Sequence, residues 1–125
     1  MLSIMKQYEQ RADTSFAHAI DVGHLTRQTM GDRSLEREVL ELFRRQSRIL
    51  MFRLEALTAP KDRAGVAHTL KGSARGVGAS RVAFAAEELE RAAQHGEPTG
   101  KALAELAESV AEVTSAIELR FGLDS

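Results

Sequence analysis

The chain has 125 residues, 43% of them hydrophobic and 28% charged, which suits one ordinary soluble domain with a single buried core. Its formal net charge of −1 gives no overall attraction to nucleic acid or to an anionic membrane. Cysteine is absent, which excludes a disulfide framework and any thiolate metal site. The opening MLSIMKQYEQ has no apolar core of the kind a secretion signal needs, and no apolar run approaches the roughly 18 residues of a membrane span. A cytoplasmic location with no membrane partner is the expectation.

Residues 1–20 support two readings, an extra helix packed on the domain or a flexible arm. From 21 onward helical periodicity dominates, and no segment alternates as a strand would. A short helix is expected over Asp21–Thr29, with Asp21 as its N-cap. MGDRS breaks the pattern. A long helix follows over about Ser34–Thr58, with Leu35, Val39, Leu42, Phe43, Ile49, Leu50, Leu54 and Leu57 on its apolar stripe and Arg37, Arg44, Arg45, Arg48 and Arg53 among glutamates outside.

Pro60 ends that helix and suits the first turn of the next, where Asp62 lies near the positive end of the dipole. Gly78, Ala79 and Ser80 read as a turn, with Ser80 as N-cap of a helix through Ala93 whose inner face is Val82, Ala85, Ala86 and Leu89. Gly96 is a helix stop, Pro98 restarts the chain, and Leu103, Leu106, Val110, Val113 and Ile117 form a seam spaced by threes and fours. Four long helices with short connections predict an all-α, antiparallel up-down-up-down four-helix bundle over 21–125, with one short additional N-terminal helix. One such bundle buries every apolar stripe, so a monomer is expected, although residues 1–20 leave room for dimerisation.

The helix containing AHTLKGSARGVG is chemically unusual. Glycine costs about 1 kcal/mol against alanine in a helix interior, yet the apolar spacing continues through Gly72 and Gly76 to Val77. At about 100° per residue, Val66, Ala67, Leu70, Ala74 and Val77 share the core side, and His68 falls opposite. Around His68 on the outer face the wheel places Ala64, Gly65, Gly72 and Gly76, with Lys61, Lys71 and Arg75 as flanking cations. A histidine in a patch stripped of bulk suits a group that meets a second macromolecule. Neutral imidazole is a nucleophile near neutral pH, and Lys71 and Arg75 are placed to neutralise an anion carried on the ring. Phosphoryl transfer asks for that positioning and charge neutralisation.

HTLKGSARGVGASRVAFAAEELE resembles the signature of the histidine-containing phosphotransfer (HPt) domains of bacterial phosphorelays, through His68, Leu70, Lys71, Gly72, Ser73, Ala74 and Gly78. The resemblance extends over roughly 21–121 and shows no departure at the central motif. It implies that His68 is phosphorylated at Nε2, that Lys71 helps hold the phosphate and that Gly72 gives a receiver domain room to dock. The family's Phe-x-x-Gln pattern is matched by Phe43 and Gln46, a polar residue on an otherwise apolar stripe. Two readings of Gln46 stand side by side: it orients the histidine or its phosphate, or it sits at the stripe's edge and bonds to backbone or water. The partners implied are response-regulator receiver domains or a hybrid histidine kinase. No cofactor is expected on this chain, Mg²⁺ being expected on the receiver, and nothing resembles an ATP-binding loop.

Three other readings are weaker. A docking module without chemistry fits the same surface, but the joint presence of His68, Lys71 and Gly72 argues for chemistry. Metal binding would need His18, His24, His68 and His95, which fall on different predicted elements with no i, i+4 pair. Nucleic-acid binding by the arginine-rich helix is diluted by Glu36, Glu38, Glu41 and Glu55.

Overall fold

The computed structural model describes residues 2–123, with Leu2 as backbone alone. Met1, Asp124 and Ser125, which belong to the expected 1–20 and 21–125 segments, lie outside the described residues. Those described form six helices: α1 Leu2–Ala19, α2 Val22–Thr29, α3 Arg33–Ala56, α4 Pro60–Val77, α5 Ser80–Gln94 and α6 Gly100–Phe121. Two helices, α1 and α2, precede the long four. Contacts run α3 to α4, α4 to α5, α5 to α6 and α6 back to α3, a closed ring in which α4 lies diagonally across from α6. The links at 57–59, 78–79 and 95–99 are short enough that each helix must turn back along its predecessor.

The boundaries follow from local chemistry. Asp21 caps α2 by accepting a bond from the His24 amide, and Asp32 caps α3 by accepting from Ser34 and Leu35. Asp32 therefore starts α3 one residue before the expected Ser34, and Leu57 already has extended backbone (ψ 142°) at its end. Pro60 opens α4 with Asp62 in its first turn. Gly78, at φ 81°, ends α4, and the Ala79 amide bonds back to the Ala74 carbonyl at 2.8 Å. That tight turn makes Ala79, rather than the expected Ser80, the N-cap of α5; Ser80 is its first helical residue. Gly96, at φ 67°, follows the end of α5 as expected.

The core joins Leu40, Phe43, Leu50 and Leu54 of α3, Val66, Ala67, Leu70, Ala74 and Val77 of α4, Val82, Ala85, Ala86 and Leu89 of α5, and Leu106, Val110, Val113 and Ile117 of α6. Phe16, Ala19 and Ile20 belong to the same cluster and fasten the end of α1, helped by Arg120 stacked 4.3 Å from the centre of the Phe16 ring. The stripe expected on α3 needs one correction: Leu42 and Ile49 are exposed, as is Phe52. They lie about 100° or more around the helix from the line of Phe43, Leu50 and Leu54. Apolar residues occur nearly all round α3, so its neighbours, not its own composition, choose the buried side. The arginines are largely spent on carboxylates: Arg37 pairs with Glu41, and Arg44 and Arg48 both reach Glu118 of α6.

Gly78 also holds the N-terminal part in place, since its carbonyl accepts from the Asp21 amide at 2.9 Å. A Cβ there would stand 2.9 Å from the Asp21 carbonyl oxygen, in a backbone region that disfavours side chains. Gly78→Ala is expected to destabilise the fold by about 1–3 kcal/mol, read by urea denaturation. Gly96→Ala, where a Cβ meets nothing within 4 Å, should carry only the backbone strain and so cost less.

Candidate functional site

His68 stands midway along α4 on the side away from the core, with its side chain 67% exposed. Position alone would leave the ring free to rotate. It is held instead by Glu90 of α5, whose Oε2 lies 2.7 Å from His68 Nδ1. The other oxygen, Oε1, accepts from Lys71 Nζ at 2.6 Å. Glu90 and Lys71 are largely buried, so this ion pair sits under the exposed ring. His68 and Lys71 are one turn apart on α4, and the small residues Ala86 and Ala93 on α5 let Glu90 approach both.

The electrostatics decide the tautomer. The Lys71 ammonium is the main influence on Glu90 and lowers its pKa, burial pushes the other way, and the bond from His68 lowers it again. The balance keeps Glu90 ionised, and an ionised carboxylate only accepts hydrogen bonds. His68 Nδ1 must then carry the proton. In the neutral ring that leaves the lone pair on Nε2, the atom facing solvent. Bonding Nε2 to an electrophile makes the ring positive, and Glu90 stands where that charge is neutralised.

Ala64 departs from the wheel: it is buried rather than on the outer face, because α5 closes over that side of α4. With Pro60, Lys61, Gly65, Glu90 and Gln94 it lines a depression of about 720 Å³ beside His68. Gly65, Gly72 and Gly76 are exposed, and a Cβ on any of them would meet nothing within 4 Å. These glycines therefore relieve no crowding inside the protein. They leave a bare strip along α4 on the flank away from Lys71 and Arg75.

Arg75 is two turns from His68 and pairs with Glu87 of α5 at 3.5 Å. Gln46 is exposed on α3 and makes no hydrogen bond to His68 or Lys71. Since Arg44 and Arg48 face α6 through Glu118, Gln46 lies on the flank toward α4, at the height of His68 counted back from the link at 57–59. Leu42 and Ile49 share that flank, with Phe52 beyond them at 73% exposure. An apolar edge on α3 thus runs beside the bare strip on α4.

Glu90 was missed in the sequence, where it is one glutamate of EELE. The available signal was its period: with Val82, Ala86 and Leu89 it continues the inner side of α5. Among the described residues no group of three or more His, Cys, Asp or Glu side chains is placed to hold a metal, and no helix is long and apolar enough to cross a membrane.

An exposed, tautomerically fixed histidine on an all-helical bundle defines a class of domain. Residues 38–116 match the Hpt domain family model, and the chain belongs to that family. A search of curated proteins finds no match. Among solved structures, the chain resembles a rice protein named as a candidate histidine-containing phosphotransfer protein, with a TM-score of 0.67 and 16% identity over 94% of this chain and 96% of that one. At that identity the likeness speaks for the fold.

Because the folded-state pKa of Glu90 is lowered, its ion pair contributes stability above the ordinary carboxylate range and loses it as the pH falls through the folded value. Glu90→Gln should therefore remove part of the loss of stability seen below about pH 4.3, measured by denaturation across pH. Long-range ¹H–¹⁵N spectra should show neutral His68 protonated at Nδ1 in the wild type, and a shift toward the Nε2–H tautomer in Glu90→Ala.

Proposed function

We propose that the protein is a relay carrier: His68 accepts a phosphoryl group from the aspartate of one receiver domain and passes it to another. Membership of the Hpt family supports a phosphotransfer role in a phosphorelay. The observation that carries the finer reading is the exposed Nε2 of a ring whose Nδ1–H is fixed on an ionised, buried carboxylate.

In the step proposed, the Nε2 lone pair attacks phosphorus in line with the aspartyl phosphate bond. The N–P bond forms as that P–O bond breaks, and the receiver carboxylate leaves with the electron pair. The proton stays on Nδ1, and Glu90 compensates the positive ring. Lys71 has two further N–H groups beyond the one on Glu90, and one of them is assigned to a phosphoryl oxygen. Transfer onward is the reverse with a second aspartate. The Mg²⁺ that balances the aspartyl phosphate is assigned to the receiver.

Gly65, Gly72 and Gly76 would admit the receiver's backbone close to His68, while Leu42, Ile49 and Phe52 offer it apolar contact from α3. Ala64 contributes the floor of the adjoining depression. Gln46 borders the same surface and would reach the phosphate or the docked partner. Arg75 would contribute to phosphate neutralisation only after leaving Glu87, so its contact is assigned to the bound complex.

His68→Gln should abolish acceptance of labelled phosphate from every receiver while the melting transition is retained; labelling of that variant would overturn the proposal. Gly72→Gln separates chemistry from docking. Its helix propensity is better by roughly 0.5–1 kcal/mol, so folding should hold or improve. Exchange with a receiver should slow at least about tenfold, equivalent to about 1.4 kcal/mol, whereas labelling of His68 by phosphoramidate, a donor too small to be obstructed, should persist. Receiver binding by the wild type without any phosphate exchange would instead support a docking module.

A further inference from the structure

Helix α1 lies outside the span of the family match, and its apolar stripe is longer than the surface that covers it. Met5, Tyr8, Ala12, Phe16 and Ala19 recur at intervals of three and four and fall on one line of the helix. The second half of that line is sealed, with Phe16 only 1% exposed against the core. The first half is open, with Met5 62% exposed and Tyr8 and Ile4 similarly bare. Nothing in the described chain covers these first turns, and short unsupported helical turns are marginal in water.

The charges around the open turns indicate the kind of partner. Lys6, Glu9, Arg11 and Asp13 give two charges of each sign, which favours neither an anionic membrane nor nucleic acid. Lys6 and Glu9 lie one turn apart on the same flank of the stripe. That arrangement is self-complementary: an antiparallel neighbour of the same sequence sets Lys6 of each copy against Glu9 of the other. Beside Tyr8 lies an open crevice of about 720 Å³, lined on its apolar side by Ala12, Val22, Leu119 and Phe121, where the tip of a second helix can enter.

We propose that the first turns of α1 are a self-association surface, pairing antiparallel with α1 of a second copy about a two-fold axis. Met5 and Tyr8 of one copy pack against Tyr8 and Met5 of the other, and the two Lys6–Glu9 contacts set the register. Two turns per copy cover less than the roughly 1,200–2,000 Å² of an ordinary stable interface, so the dimer is weak and concentration-dependent. Since α1 packs on α6, diagonally across the bundle from α4, both His68 faces stay open in the pair.

The test is sedimentation equilibrium of the full chain from about 1 µM to about 1 mM, the range in which a weak dimer forms. The average mass should climb toward twice that of the monomer. Met5→Glu with Tyr8→Glu should hold it at the monomer value, with unchanged helical circular dichroism because both side chains are exposed. Lys6→Glu alone should weaken association at least about tenfold (about 1.4 kcal/mol), and adding Glu9→Lys should restore it. A wild type that stays monomeric throughout, a Met5/Tyr8 variant that still dimerises, or a failure of the charge reversal to restore pairing overturns the proposal. Phosphate acceptance by His68 is read separately in the same samples, so neither result decides the other.

Discussion

Glu90 has two obligations that depend on each other. Its carboxylate is nearly buried, and a buried charge is tolerated only when paired and hydrogen-bonded. Lys71 supplies the pairing through one oxygen and leaves the other free for His68. If Lys71 were absent, burial would oppose the ionisation of Glu90 with the bond from His68 left to counter it, and the His68 tautomer would be held less firmly. The tautomer of an exposed ring thus rests on an ion pair it covers, and that ion pair depends on how closely α4 and α5 pack. Ala83, Ala85, Ala86, Ala92 and Ala93, all buried on α5, are what permit that approach.

The same packing explains how α4 tolerates three interior glycines. Their combined helix propensity is worse than that of alanines by roughly 3 kcal/mol at about 1 kcal/mol each. The helix persists because its other side is committed to the core through Val66, Ala67, Leu70, Ala74 and Val77. Tertiary burial at about 1.5–3 kcal/mol per large apolar side chain is enough to offset the loss. Among the described residues no neighbour benefits from the missing side chains, since open space lies where each Cβ would be. Their cost therefore has no return in the packing described, which is consistent with the docking role proposed for this strip.

Much of this was legible in the sequence, and the failures have particular causes. The caps and stops at Asp21, Pro60, Gly78 and Gly96 act within a few residues and could be read locally. So could the core side of α4, because polar and glycine residues fill the rest of it. α3 could not be read that way: apolar residues surround it, and only the positions of α4 and α6 show that Leu42 and Ile49 are outside. Ala64 failed for a related reason, since alanine suits either side and the covering helix decides. Ser80 was a reasonable N-cap by residue type, but the glycine turn before it shifted the helix start by one. Glu90 is the instructive miss. It lies 22 positions from His68, and only the packing of α5 on α4 brings the two together.

The arrangement of the ring also separates the protein's surfaces. α4 presents the histidine, and the apolar edge of α3 adjoins it on one flank. On the other flank α5 supplies Glu90 and Glu87, which engage the cations of α4. α6 is across the bundle and is the helix that α1 covers, so whatever binds the N-terminal turns does not compete with whatever meets His68. The ties between α1 and α6 are concentrated at Phe16 and Arg120, near the C-terminal end of α1. α1 is thus anchored at one end and open at the other. A helix so attached can gain a partner through its free turns without disturbing the packing of α4 against α5 on which the His68 site depends.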